Sequence, residues 1–236
     1  MENYITVDRI NKEFDFINLV ITTTNIDAKN EADLFKAFKK EEFNLDNLTR
    51  NSQIHSSIVN KIDENNIGQR IDGDALITNQ PQVPLLILTA DCVPVVIIDP
   101  KNKAIGVAHA GWRGTYDKIC KNTIDEMIKN YNSKPEDLVC VIGPSIGPCC
   151  YEVSKDLVDK FNTNLANHSG KFDIIREDKN YLDLWKINEL TLEDCNVKPE
   201  NIINLQICTN CNHEKFYSYR KHNKTPKRIG TMIQIK

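Results

Sequence analysis

The stretch from Thr89 to Gly114 constrains this chain more than any other. Val93-Pro94-Val95-Val96-Ile97-Ile98 and Ala104-Ile105-Gly106-Val107 are short apolar runs rich in β-branched residues, separated by Asp99-Pro100-Lys101-Asn102. Such runs around a Pro/Asn turn read as two paired strands. Their outer ends carry chemistry. Thr89-Ala90-Asp91-Cys92 precedes the first run, and Ala108-His109-Ala110-Gly111-Trp112-Arg113-Gly114 follows the second. Pairing therefore sets a thiol and an imidazole at the same end of a hairpin, placed to face each other.

Around the hairpin, helical and strand patterns alternate irregularly. Glu31 to Phe43, with Leu34, Phe35, Phe38 and Phe43 among charged residues, predicts an amphipathic helix. Ile71 to Thr78 and Val83 to Leu88 read as strands around Asn79-Gln80-Pro81. Thr115 is placed to cap a helix whose stripe is Ile119, Thr123, Met127 and Tyr131, with Ile124 and Ile128 beside it, ending near Asn132-Ser133 before Pro135. Leu138 to Ile142 reads as a buried strand running into the stiff loop Gly143 to Pro148. A helix is expected from Ser154 to Phe161, and polar Asn162 to Gly170 is expected to be a mobile connector. Asp183 is placed to cap a helix through Cys195, while Ile202 to Ile207, Phe216 to Tyr219 and Ile229 to Ile235 are strand-like. This mixture points to an α+β fold with mixed sheets rather than a parallel α/β sheet. With no repeat and no low-complexity linker, one domain over residues 1–236 is expected.

A net charge of −3 spread over both signs gives no basic face for nucleic acid. No apolar stretch approaches the ~20 residues that span a bilayer, and Met1-Glu2-Asn3-Tyr4 lacks the cationic start of a secretory signal. The expectation is a cytoplasmic protein, monomer or homodimer, with neither nucleic-acid nor membrane partners. Eight cysteines are many, but their spacing is not that of a secreted disulfide framework.

His55, Cys92 and His109 offer a thiolate and two imidazoles, a donor set that suits zinc and leaves a fourth position open for water or substrate. The same set would also suit copper. On pattern alone the plainer reading stands beside this one: a Cys after an apolar strand is more often a small buried hydrophobe. Gly111 and Gly114 bracket Trp112-Arg113 at a strand-to-helix turn, where Arg113 would suit phosphate or carboxylate or simply face solvent. Asp74, in Asp72-Gly73-Asp74, reads as a turn residue or as a carboxylate supporting the site. Cys208-Thr209-Asn210-Cys211 lacks a second pair, so a zinc ribbon is not expected. Adjacent Cys149-Cys150 on an extended segment would point to opposite sides, which argues against a shared metal there. His168 and His222 read as surface residues.

These residues carry a resemblance. Gln53-Ile54-His55, Asp74 to Thr78, Thr89 to Cys92, Ala108 to Gly114, Gly143 to Val153, Cys208-Thr209 and Phe216-Tyr217-Ser218-Tyr219-Arg220 are similar, in order, to the YfiH-type laccase-domain family, also called polyphenol oxidase-like and now regarded as purine nucleoside phosphorylases. The resemblance runs from about Asn51 to the carboxyl end. It implies an α/β/β/α layered fold and a catalytic zinc on His55, Cys92 and His109. It also implies phosphorolysis of adenosine, inosine, guanosine and methylthioadenosine, with adenosine deamination beside it. Purine nucleoside and phosphate are then the partners. Arg113, Arg220 and Arg228 are the expected phosphate-facing residues, and Cys92, His109 and Asp74 the catalytic ones, Asp74 as proton acceptor or supporting carboxylate.

Two segments depart from the family pattern. Ile21 to Asp27 stands where the family has a Phe-Ser-Thr-Arg-like strand and a glycine turn, and Thr225-Pro226-Lys227-Arg228 replaces Thr-Gly-Arg. Both departures bear on the substrate clamp. Three rival readings follow from the same residues: a copper-dependent polyphenol oxidase or laccase, a metal-free Cys92–His109 hydrolase (with a peptidoglycan-precursor editing role among its options), and a binding module without turnover. Five histidines in all count against the multicopper reading.

Overall fold

Apolar runs as continuous as Val93 to Ile98 need covering on both faces. The computed structural model, which describes residues 2–39 and 42–236, shows what covers them. Met1 of the amino-terminal reading, and Lys40 and Glu41 of the helix expected over Glu31 to Phe43, lie outside the described residues. Along the chain run β1 (Tyr4–Thr6), α1 (Asp8–Glu13), β2 (Ile17–Thr22), α2 (Glu31–Ala37), β3 (Val59–Lys61), β4 (Ala75–Thr78), β5 (Leu85–Thr89), β6 (Val93–Asp99) and β7 (Ala104–Ala110). They are followed by α3 (Trp112–Tyr116), α4 (Ile119–Tyr131), β8 (Val139–Ile142), β9 (Glu152–Val153), α5 (Lys155–Asn164), β10 (Asp173–Arg176), β11 (Lys179–Leu182), α6 (Leu184–Asp194), β12 (Ile202–Asn204) and β13 (Ile229–Ile235).

A six-stranded sheet has the order β12-β8-β6-β7-β4-β3, and a four-stranded sheet the order β1-β2-β13-β5. The expected hairpin is present, β6 and β7 pairing antiparallel with Pro94 opposite His109 and Asp99 opposite Ala104. Outer strands β12 and β3 pair parallel with their neighbours, so the sheet is mixed. Side chains alternate across each strand. Leu76, Val96, Ile98, Ile105 and Val107 meet Leu19, Ile21, Ile87 and Ile233 between the two sheets. Ile77, Val95, Ile97 and Ala108 turn the other way, onto Ile124 and Met127 of α4 and Ile187 of α6. Leu34 and Phe38 cover Val20, Leu86 and Met232 on the outer face of the smaller sheet. The layers are α/β/β/α and the fold is α+β, both as expected.

Several element boundaries differ from the sequence expectation. Helix α2 stops at Ala37, because Phe38 turns extended (φ −116°, ψ 136°) to reach the core. Strands β4 and β5 do not pair; the chain between them crosses from the larger sheet to the smaller. Thr115 does not cap a long helix. It lies in α3, where its hydroxyl donates to the Ala110 carbonyl, and Lys118 in left-handed backbone (φ 58°) breaks α3 from α4. Ile128 sits at the edge of its stripe, 38% exposed. Asn162 to Gly170 is not a plain connector: α5 runs through Asn164, and the Asn162 side-chain oxygen accepts from the Ser169 hydroxyl and the Gly170 amide. Phe216 to Tyr219 forms no strand, and β12 ends at Asn204.

Candidate active site

Alternation fixes where the chemistry points. His109 continues the Ile105, Val107 face of β7, which looks into the space between the sheets. At the strand end that space opens into a cleft of about 660 Å³. Cys92 lies on the three-residue link Ala90–Cys92, where the chain leaves β5 of one sheet and enters β6 of the other. His55 comes from the loop before β3, in left-handed backbone at φ 59°. Its ring sits edge-on to His109, centroids 4.9 Å apart. One donor atom each from His55, Cys92 and His109 lie within 4.8 Å of one another. The structure thus brings together the three residues that the sequence nominated.

Asp74 holds this arrangement from below. It is fully buried and paired with buried His109 at 2.8 Å, carboxylate oxygen to Nδ1. It also accepts from the amides of Ile54 (3.2 Å), His55 (3.1 Å) and Ser56 (2.6 Å), and from the Ser56 hydroxyl (2.8 Å). Burial acts to raise its pKa, but these donors and His109 outweigh it and hold the carboxyl at about 2. With Nδ1 engaged by Asp74, His109 has Nε2 for the cleft, the arrangement in which a carboxylate fixes the orientation of a ligating imidazole. Asp74 itself does not line the cleft.

Burial would push the Cys92 thiol up. Beside His109 and His55 it falls instead to about 6. Burial would likewise lower His109, yet the Cys92 and Asp74 charges raise it to about 9. The pair is therefore a thiolate with an imidazolium when no ion is bound. The thiolate is already in the state a metal requires, and binding would displace the imidazolium proton. Gly111 approaches closely: a Cβ there would come 3.1 Å from the Cys92 sulfur and 3.3 Å from the His55 ring. Donor set, spacing, supporting carboxylate and close backbone all fit a transition-metal ion of the zinc class.

Arg113, Arg220 and Arg228, the residues expected to face phosphate, all line the cleft. Arg113 lies over the Trp112 ring at 4.4 Å. Arg220 donates from its backbone amide to Asp91 (2.7 Å), which also accepts from the Thr209 hydroxyl (2.7 Å). Those bonds hold Asp91 at φ 88°, a costly backbone for a residue with a Cβ. Sequence reasoning missed Lys29, a fourth cation on the wall, and gave Tyr151 and Asp91 no role of their own. For Lys29 there was no signal: it belongs to no motif and lies just past the Ile21 to Asp27 segment that departs from the family pattern. His168 pairs with Asp194 away from this cleft, and His222 accepts from the Ser218 amide.

Comparison with known proteins places the arrangement among relatives. A family model described as multi-copper polyphenol oxidoreductase laccase matches residues 9–236. Purine nucleoside phosphorylase CA_C1699 of Clostridium acetobutylicum is 35% identical over 201 residues, covering 82% of this chain and 79% of that protein. Purine nucleoside phosphorylase LACC1 of Mus musculus is 37% identical over 164 residues, 68% of this chain but 37% of the relative, so the match spans little more than a third of the mammalian protein. Adenosine deaminase RL5 from an unknown prokaryotic organism is 33% identical over 189 residues, 75% of this chain and 71% of that protein. Among solved structures, the hypothetical protein YfiH of Bacillus licheniformis superposes with a TM-score of 0.89 at 25% identity, covering 100% of this chain and 97% of that one.

Proposed function

This chain belongs to the multi-copper polyphenol oxidoreductase laccase family, and from that premise we propose that it is a zinc-dependent purine nucleoside phosphorylase with accompanying adenosine deaminase activity. One observation carries the reading. A single cleft sets three soft donors beside four cations, Lys29, Arg113, Arg220 and Arg228, and three aromatic residues, Trp112, Tyr151 and Tyr219. Phosphate, a purine and a metal-assisted reaction each find a matching part of that wall. The names of relatives at about a third identity support the same reaction class.

In phosphorolysis a phosphate oxygen bonds to ribose C1′ as the C1′–N9 bond breaks. The electron pair leaves with the base, which takes up a proton. In this reading Arg113, Arg220, Arg228 and Lys29 hold the phosphate and spread its charge. Trp112 and the two tyrosines offer ring faces to the base. His55, Cys92 and His109 would hold zinc, which when bound supplies a Lewis acid to polarise an oxygen in the cleft. Asp74 keeps the His109 proton on Nδ1 and the 54–56 backbone in place. Its buried position favours the supporting role over direct proton transfer.

A laccase reaction is less well served. Copper clusters draw on histidine-rich ligand sets, and of five histidines only His55 and His109 reach the cleft among the described residues. The test is turnover of inosine or adenosine with phosphate, following ribose 1-phosphate, free base and ammonia before and after chelation, with metal content measured alongside. Ribose 1-phosphate that appears with the native metal, vanishes on chelation and is lost in Cys92→Ala and His109→Ala is the expected result. Product formation indifferent to chelator and to both substitutions overturns the zinc reading, and copper in stoichiometric amount with phenol oxidation overturns the phosphorylase.

A further inference from the structure

Four thiols gather on the far side of the loop that carries Tyr151. Cys149, Cys150, Cys208 and Cys211 bring their sulfurs within 4.8 Å of one another. The sequence argument against a shared metal here assumed an extended Cys149-Cys150. The chain instead turns tightly, the Cys150 and Tyr151 amides both donating to the Gly147 carbonyl at 2.9 and 3.0 Å, and the two adjacent side chains converge. They are the second pair that Cys208-Thr209-Asn210-Cys211 lacked. That second segment is turned too, the Asn212 amide and side chain both donating to the Cys208 carbonyl. Reciprocal bonds from the Ser145 amide to Ile207 and from the Thr209 amide to Ser145 lash the two segments together.

From this geometry we propose a second metal site, a closed, structural centre in which Cys149, Cys150, Cys208 and Cys211 bind one zinc ion as thiolates. Zinc with four sulfurs at about 2.3 Å in a tetrahedron separates those sulfurs by about 3.8 Å. Cys211 stands 3.5 Å from both Cys149 and Cys150. A disulfide selects one partner, whereas an ion takes all four, and equal spacing matches the ion. A polynuclear iron–sulfur cluster would need its cysteine sulfurs spread more widely, since sulfide bridges separate its irons. Burial raises the Cys149 and Cys150 thiols, a cost that a bound dication would offset by displacing their protons, and two neighbouring donors assist. The Gly147 amide donates to the Cys208 sulfur at 3.3 Å. The Arg176 guanidinium is anchored on the carbonyls of Pro148 and Cys149, setting a cation beside a centre whose four thiolates and one divalent ion sum to two negative charges. All four ligand positions are filled by protein, so the ion has no room for substrate and acts by holding.

What it holds is one wall of the cleft. The 143–151 loop supplies Ile146 and Tyr151, and the segment beyond Cys211 supplies Tyr219 and Arg220. The ion clamps the two segments of that wall at their base, a task separate from the chemistry at Cys92.

The test is metal counting on the whole chain purified under reducing conditions from zinc-supplemented medium. Wild type is expected to carry one zinc more per chain than Cys149→Ser/Cys211→Ser, whatever His55, Cys92 and His109 hold. The Cys92→Ala/His109→Ala protein is expected to keep that zinc. After exchange with cobalt it should show the intense sulfur-to-cobalt charge-transfer absorption and tetrahedral bands of a four-thiolate centre. The cobalt spectrum decides the matter even if the double serine variant fails to fold. An equal zinc count in wild type and Cys149→Ser/Cys211→Ser overturns the proposal. So does a cobalt spectrum without sulfur ligation, iron in place of zinc, or a freshly isolated mass lighter by the hydrogens of one or two disulfides.

Discussion

Both oxygens of Asp74 are fully used: one takes the His55 amide and His109 Nδ1, the other the amides of Ile54 and Ser56 and the Ser56 hydroxyl. Removing the carboxylate by Asp74→Ala strands buried donors, which costs about 1–3 kcal/mol for a group left unpaired. It also frees the imidazole to rotate, and loss of such a supporting group typically lowers metal affinity about 10–100-fold. Thermal melts of the metal-free chain and zinc competition with a chromophoric chelator measure the two effects separately. A variant that melts lower yet binds zinc at wild-type affinity would remove Asp74 from the metal's support. At this scale the sequence was informative wherever residue type dictates chemistry. Cys92 and His109 at paired strand ends were legible from the hairpin, whereas His55, distant in sequence, was only nominated by its residue type and by the family resemblance until the fold brought it within reach. The four-cysteine cluster was not, because it depends on a turn at Gly147 to Tyr151 that places neighbours in sequence on one side in space.

Among the elements, the β6–β7 hairpin followed directly from its composition, and α6 from its cap. The Asp183 side chain accepts from the Lys186 amide at 2.9 Å, and the helix runs to Asp194. The break between α3 and α4 had no such sign, since a lysine in left-handed backbone leaves no mark in an otherwise helical stripe. Burial, with the Glu189 charge adding to it, raises the Asp183 carboxyl above its ordinary value despite the capped amide. The folded chain therefore holds this proton more tightly than the unfolded chain does. The stability this group contributes is complete below the unfolded value of about 3.9 and is lost as pH rises through the raised folded value. Asp183→Asn keeps a capping oxygen and cannot ionise. Urea titrations at stepped pH are expected to show the variant gaining on wild type as pH rises across that interval, with a constant difference above it. A gap that widens toward acid instead would mean the carboxyl is depressed, not raised.

For the molecule as a whole, the layering was legible in outline, but which strands share a sheet was not. The chain between β4 and β5 looks like a hairpin turn and is a crossing between sheets, a distinction that only long-range packing makes. Leu76, fully buried where the sheets meet, tests that interface: Leu76→Ala is expected to cost about 2–5 kcal/mol. We propose that residues 1–236 unfold as one domain, so urea transitions read from Trp112 at the cleft and from Trp185 beneath the Gly147 loop, each isolated by replacing the other with Phe, are expected to coincide and to shift together in the Leu76→Ala background. Separate midpoints would split the chain into independent units. The placement of β13 carries a consequence for biosynthesis. It is translated after the other twelve strands described, yet it lies between β2 and β5. As the chain leaves the ribosome, the six strands of the larger sheet can all pair while β2 and β5 still present bare edges toward the gap β13 will fill. The interval before residues 229–235 emerge is when edge-to-edge aggregation threatens most, and the demand for chaperones concentrates in that window.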